Sequence, residues 1–206
     1  MAGPMKLDDK DRIIITMYAE DPDISQEKIA ARLNMTQPSV AARVAALRKE
    51  GGLEKQLGVN PIKMGMYLAK VEASCTAPRD VLKKMRGCPY FAHGFTASGR
   101  RNLFMLFFSE SITTLESIVD CHLRSDPSVS EVDLDLLITS EKDFVIPIRM
   151  KPDLCDGAPC GIEHSCYECS SFKEEKCLGC PATGQYRGNV LGRAVASARE
   201  PGSARQ

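Results

Sequence analysis

Six of the chain's nine cysteines fall between Cys155 and Cys180, in the pattern C-x4-C-x5-C-x2-C-x7-C-x2-C. A two-residue gap lets both thiolates of a pair reach one metal, and Cys166/Cys169 and Cys177/Cys180 have that gap. In a reducing compartment such a pattern reads as metal binding rather than disulfide formation. The expected ligand set is Cys155, Cys160, Cys166, Cys169, Cys177 and Cys180. Two pairs of thiolates suit tetrahedral zinc, although the seven-residue gap between them is shorter than in zinc ribbons. The Cys180-Pro181 step matches the cysteine-proline ending of ferredoxin-type iron–sulfur sites, but their C-x2-C-x2-C run is absent. Zinc and an iron–sulfur cluster both remain open, with a metal-free thiol switch as a third option. His164 is read as a surface residue. Cys75, Cys88, Cys121, His93 and His122 are read as packing residues of the preceding domain.

A second constellation lies between Ile24 and Gly52. Ser25 is an N-cap, and Ile24 with Ile29 has the spacing of a hydrophobic staple. Asn34 and Met35 fill a tight turn, Thr36 or Gln37 caps a second helix, and Pro38 occupies its first turn. Val40, Val44 and Leu47 form that helix's buried stripe, and Gly51 and Gly52 end it. On the opposite face Thr36, Gln37, Ser39, Ala42 and Arg43 are small or polar, which lets a helix sink into a major groove and read base edges. Arg32, Arg43, Arg48 and Lys49 are accompanied by no acidic residue between positions 32 and 49, which suits phosphate contacts. The DNA-binding set is therefore Ser25, Arg32, Thr36, Gln37, Ser39, Arg43, Arg48 and Lys49. A solvated helical hairpin is the alternative reading of the same residues.

These constellations need elements to hold them. A first helix from Leu7 to Ala19, with Ile13, Ile14, Met17 and Tyr18 inward, completes a three-helix unit. From Met66 the apolar period changes to two, and the order becomes strand, helix, strand, strand, helix, strand up to Thr139. This arrangement gives a four-stranded antiparallel sheet with both helices on one face. Leu103–Phe108 is apolar on both faces, so a second copy is expected to cover the other face in a homodimer. The class is α+β. Residues 1–52 form a helix-turn-helix domain, 53–65 a connector with a short strand, 66–148 the βαββαβ domain, 149–188 the cysteine-rich segment and 189–206 a disordered tail. The segment from 151 to 188 is poor in apolar residues and is expected to need a metal to fold.

Composition bounds the function. The net charge is zero, with 27 basic and 27 acidic side chains, and residues 1–60, 61–150 and 151–206 are each balanced. A DNA-binding field must then be local, and a dimer that presents two helices raises the effective affinity. No apolar run reaches the roughly 20 residues of a membrane span, and the N-terminus lacks a signal-peptide pattern, so a cytoplasmic location is expected. No catalytic triad, carboxylate pair or phosphate loop stands out, and no enzyme activity is expected.

The parts together resemble the leucine-responsive/AsnC (feast/famine) family of transcription regulators. The resemblance covers roughly residues 6–146: LDDKDRIIITMYAEDPDISQEKIAARLNMTQPSVAARVAALRKEGGL, then GVNPIKMG, then the βαββαβ unit with its glycine turn. It implies a DNA-binding repressor or activator that forms dimers and, in many members, octamers. It also implies a small effector such as an amino acid at subunit interfaces. The effector turn corresponds to Gly99, Arg100, Arg101 and Asn102. Many members carry an Asp where this chain has Asn102, which offers no carboxylate to an ammonium group, while Arg100 and Arg101 add positive charge. An anionic effector, or none, is expected, and Gly99 is read chiefly as a turn residue. The reading is a sequence-specific regulator controlled through the cysteines or an effector. The alternative is a metal-binding or electron-carrying protein-interaction module.

Overall fold

A computed structural model describes residues 5–163 and 165–192. The expectations for residues 1–4, for His164 and for the tail beyond residue 192 lie outside the described residues. The chain divides into two compact units, Met1–Gln56 and Leu57–Gln206.

In the first unit α1 spans Asp9–Glu20, α2 Gln26–Leu33 and α3 Gln37–Lys49. Local chemistry sets each boundary. Asp8 caps α1 in a reciprocal box with Asp11, each carboxylate accepting the other's backbone N–H. The Ser25 hydroxyl accepts from Lys28 N at 3.3 Å at the start of α2. Asn34 ends α2 in the left-handed conformation (φ 49°), which asparagine tolerates well among non-glycine residues. Thr36, not Gln37, caps α3. Ile14, Ile29, Ala30, Val40, Val44 and Leu47 make the core. Ile13, expected inside, is 40% exposed.

In the second unit β1 (Tyr67–Cys75), β2 (Phe91–Thr96), β3 (Leu103–Ser109) and β4 (Val129–Leu137) form one antiparallel sheet in the order β2-β3-β1-β4. Helices α4 (Pro78–Met85) and α5 (Ile112–Val119) link the strands in the βαββαβ order. Ala69, Val71 and Ala73 of β1 and Leu103, Met105 and Phe107 of β3 share a core with Val81, Met85, Leu115 and Ile118. The expected strand in the connector is a single bridge between Val59 and Ile146. Beyond α5 the chain changes at Asp120 into a π-helical turn, Asp120–Arg124, a form that often marks functional sites.

The opposite sheet face is mixed. Lys70 pairs with Asp135 (3.0 Å) and Glu72 (3.5 Å), and Arg101 pairs with Asp133, across β1 and β4. Next to them Phe95 is half exposed, and His93, expected to pack inside, is exposed and stacks on Phe95.

The cysteine-rich segment departs most from expectation. It is not separate from the sheet unit: Cys160, Tyr186 and Leu191 are buried in the same core as the strands, with Ile162, Leu178 and Val190 packed against it. Its regular structure is one turn of helix, α6 (Ser170–Lys173), and a 3-10 turn at Pro181–Thr183. Residues 189–192, expected in the tail, are tied down. Asn189 N donates to Glu110, and Leu191 N donates to the Tyr186 hydroxyl at 3.2 Å. The segment therefore uses the sheet unit's apolar surface where its own sequence could not supply a core.

Candidate functional site

The first site is the exposed face of α3. Thr36, Gln37, Ser39 and Ala42 are all exposed, as are Arg32, Arg48 and Lys49. The Thr36 hydroxyl is engaged with Ser39, both at its backbone N–H and, at 2.8 Å, at its hydroxyl. Gln37 Nε2 donates to Gln26 Oε1 at 3.2 Å, which links the starts of α2 and α3. Arg43 departs from the expected role. Its guanidinium donates to Asp8 and Asp11 at 2.7 Å each, closing α3 onto the cap of α1. Donating to Asp11 and Asp8 raises the Arg43 pKa, and the Asp11 backbone N–H with Arg43 lowers that of Asp8. The geometry thus leaves Gln37, Ser39 and Ala42 as the readable surface, flanked by Arg32, Arg48 and Lys49, and gives Arg43 an internal tie.

At the turn between β2 and β3, Gly99 has φ 116°, as a tight turn requires. Asn102 is occupied: its Oδ1 accepts from Cys75 N and its Nδ2 donates to Cys75 O, both at 2.8 Å. It thereby acts as one more rung between β1 and the strand beside it. Arg100 pairs with Glu131 and Arg101 with Asp133, so neither guanidinium is left over for an anion.

The second site is a cavity of about 80 Å³ walled by seven thiols. Cys160, Cys166, Cys169, Cys177 and Cys180 line one side. Cys88, just beyond α4, and Cys121 and His122 of the π-helical turn line the other. The sequence reading missed these last three. The adjacent donors Cys121-His122 and the second Cys-Pro step, Cys88-Pro89, are the only local signals that could have marked them. Cys155, expected among the ligands, is not in this wall. It lines a wider groove of about 430 Å³ together with Arg86 and Arg149.

Several bonds fix the wall. Leu178 N donates to the buried Thr114 hydroxyl of α5 at 2.9 Å, and the Tyr90 hydroxyl donates to Gly179 O. Cys166 N donates to Gln185 Oε1 at 2.9 Å. The Arg187 guanidinium lies over the Phe172 ring at 3.7 Å and donates to Phe172 O, holding α6 in place. Gly87 sits where a Cβ would fall 2.0 Å from Pro159 O, so only glycine lets the segment lie this close to the end of α4.

The Cys177 sulfur also receives the backbone N–H of Gly179 at 3.4 Å. Such N–H···S contacts favour thiolates. Burial acts in the other direction and pushes the free thiols of Cys121 and Cys180 up to about 11. Cys88 and Cys160 shift in opposite directions: the neighbouring Cys160 and burial raise Cys88, and Cys88 with His122 lowers Cys160. The lining holds no carboxylate, lysine or arginine, a soft donor set that selects zinc, copper(I) or iron–sulfur chemistry. Among the described residues, no three donors already converge on a point where one ion would sit.

Comparison with known proteins completes the assignment. A family model described as a winged helix-turn-helix DNA-binding domain matches residues 7–51. The HTH-type transcriptional regulator LrpA of Pyrococcus horikoshii is 23% identical over 130 residues, which cover 61% of this chain and 92% of LrpA. An uncharacterized HTH-type transcriptional regulator of the same organism is 25% identical over 142 residues, covering 67% of this chain and 90% of the relative. The fold matches Escherichia coli AsnC with a TM-score of 0.59 at 12% identity, over 67% of this chain and 96% of AsnC. It matches the leucine response regulatory protein LrpA of Mycobacterium tuberculosis with a TM-score of 0.58 at 21% identity, over 66% and 95%. These matches span nearly all of each relative and about two thirds of this chain, which leaves a portion that the relatives do not share. A capped helix pair with a donor-bearing second helix, within a matched winged helix-turn-helix domain, reads as a DNA-binding transcription regulator, similar in sequence to HTH-type regulators such as LrpA and in fold to AsnC.

Proposed function

We propose that this regulator binds operator DNA as a homodimer, reads bases with α3, and changes its DNA affinity with the state of the thiol-walled cavity. The observation that carries the reading is the joining of two chemistries in one chain: an exposed, capped α3 and a seven-thiol cavity built into the assembly unit. Gln37 and Ser39 read base edges, and Arg32, Arg48 and Lys49 hold phosphates. The half-exposed Phe95 and the charge lattice around Lys70 offer a second copy a self-complementary sheet face. Among the described residues no helix is long and apolar enough to cross a membrane, and a protein acting on DNA works in the cytoplasm. The reading involves no catalytic step. Control through the β2–β3 turn has less support, because Asn102, Arg100 and Arg101 are already engaged.

The test is operator selection from random duplexes, then binding isotherms at several salt concentrations with metal-loaded and stripped protein. The expected result is a steep fall of affinity with salt and a difference of at least about tenfold between the two protein states. Salt-independent binding would favour an electron-carrying interaction module instead. Equal affinity of the two states would remove the cavity from the control.

A further inference from the structure

The structure assigns the cavity an occupant larger than one ion: we propose a four-iron, four-sulfide cluster ligated by Cys166, Cys169, Cys177 and Cys180, with Cys88, Cys121 and Cys160 completing a sulfur-rich wall. The proposal rests on the functional reading only in treating the cavity as occupied. Its arguments are those of shape and donor type.

The first argument is size. A zinc–thiolate site draws its four sulfurs to about 2.3 Å from one centre, which leaves no space among them. Here the thiols line about 80 Å³, against the roughly 10–15 Å³ that one water-sized particle needs. An iron–sulfur cube brings its own sulfides and fills such a space, while its irons reach outward to thiolates on the walls.

The second argument is the lining. Beside the seven thiols it carries one imidazole, His122, and the hydroxyl of Ser117, and Pro89, Ile118, Ala158 and Ile162 add apolar surface, as a cluster needs. The third is the backbone. Gly179 N–H points at Cys177 Sγ at 3.4 Å, a contact of the kind that stabilises ligand sulfur and sets cluster potential. Cys177–Cys180 is also the loop held by Thr114 and Tyr90, so a cluster here would be fastened to α5 and to the residue preceding β2. Cys88 beyond α4 and Cys121 of the π-helical turn complete the lining from the sheet unit.

Uptake is a ligand exchange. A preassembled cluster carrying small thiolates enters, four cysteine S–H bonds break and four iron–sulfur bonds form. The displaced thiolates leave with the four protons as thiols, and no electron changes hands.

The experiment uses the full chain, purified without oxygen and incubated with a synthetic thiolate-ligated four-iron cluster. Iron, acid-labile sulfide and the visible spectrum are measured after desalting. The expected load is about four iron and about four sulfide per chain, with a broad charge-transfer band. Cys75→Ser and Cys155→Ser keep the full load, and the Cys166→Ser/Cys169→Ser double variant retains less than about a tenth of it. Because that variant can also fail by misfolding, the unsubstituted protein is alkylated with and without cluster and analysed by mass spectrometry. Protection of Cys166, Cys169, Cys177 and Cys180, with Cys155 still modified, supports the assignment. A single zinc per chain that the cluster does not displace, a Cys88–Cys160 disulfide without metal, or unprotected C-x2-C thiols would each overturn it. Operator binding measured on the same samples separates the two readings. Cluster uptake with unchanged DNA affinity leaves the centre standing and removes its control of DNA binding, whereas absence of uptake removes the centre whatever the DNA result.

Discussion

Between Ser25 and Gly51 each structural signal meets its partner within a few residues. Ser25 caps the amide of Lys28, Thr36 that of Ser39, and Asn34 turns the chain where it stands. Between Cys160 and Cys180 the contacts reach far along the chain. Cys160 meets Cys88, Cys169 meets Cys121, and Leu178 bonds Thr114, 64 residues away. The helix pair is specified by local capping and a short apolar repeat, so its shape survives in the sequence as a pattern. The thiol wall is specified by tertiary packing, so its sequence shows five of the seven thiols and none of the surface on which they rest.

The largest test of this contrast is in the helix unit. Ile29→Ala removes a fully buried side chain from a small core and is expected to destabilise that unit by about 2–5 kcal/mol. Thermal unfolding followed together with the cavity's thiol reactivity checks it. Loss of the α2–α3 signal with the thiol pattern intact would match the division into two units, and simultaneous loss would merge them.

Next comes the tie between the segment and α5. Thr114→Val leaves the Leu178 N–H without its acceptor and is expected to cost about 1–3 kcal/mol. Amide exchange around residues 177–180 should rise while exchange in β1 and β3 holds. Unchanged exchange would show that the wall does not depend on this bond.

At the DNA face, Gln37→Ala is expected to weaken the preferred operator by about 1–3 kcal/mol and to relax base choice at one position. Lys49→Ala is expected to weaken all sequences alike and flatten the salt slope by about one unit. Base-resolved binding arrays separate these outcomes. Arg43→Ala sharpens the comparison further. An Arg43 that serves as an internal tie yields at most about 1 kcal/mol of stability, its partners being partly exposed, with base preference retained. A change in base preference would return it to the reading set.

The smallest effect concerns acid. The Asp8 carboxyl is held below its ordinary value of 3.8 by the Asp11 backbone N–H and by Arg43. Its contribution to the helix unit is therefore complete above that pH and is lost as the pH falls through the depressed value. Circular dichroism from pH 5 downward should show Asp8→Asn flattening that dependence, and an identical acid profile would mean that the cap titrates without consequence.

The sequence by itself determined the three helices, the Ser25 cap, the change to a period of two at Met66 and the βαββαβ order. Each of these follows from residue spacing acting over one turn or one strand. It also marked Cys166/Cys169 and Cys177/Cys180, because a chelating gap is local. It failed where a side chain's role depends on a distant partner. Arg43 looks like a base reader until Asp8 and Asp11 come beside it, and Asn102 looks like a ligand residue until the Cys75 backbone takes both ends of its amide. Cys155 left the wall and Cys88 and Cys121 entered it for the same reason: the sheet unit's apolar surface, not the segment's own composition, determines how the segment folds.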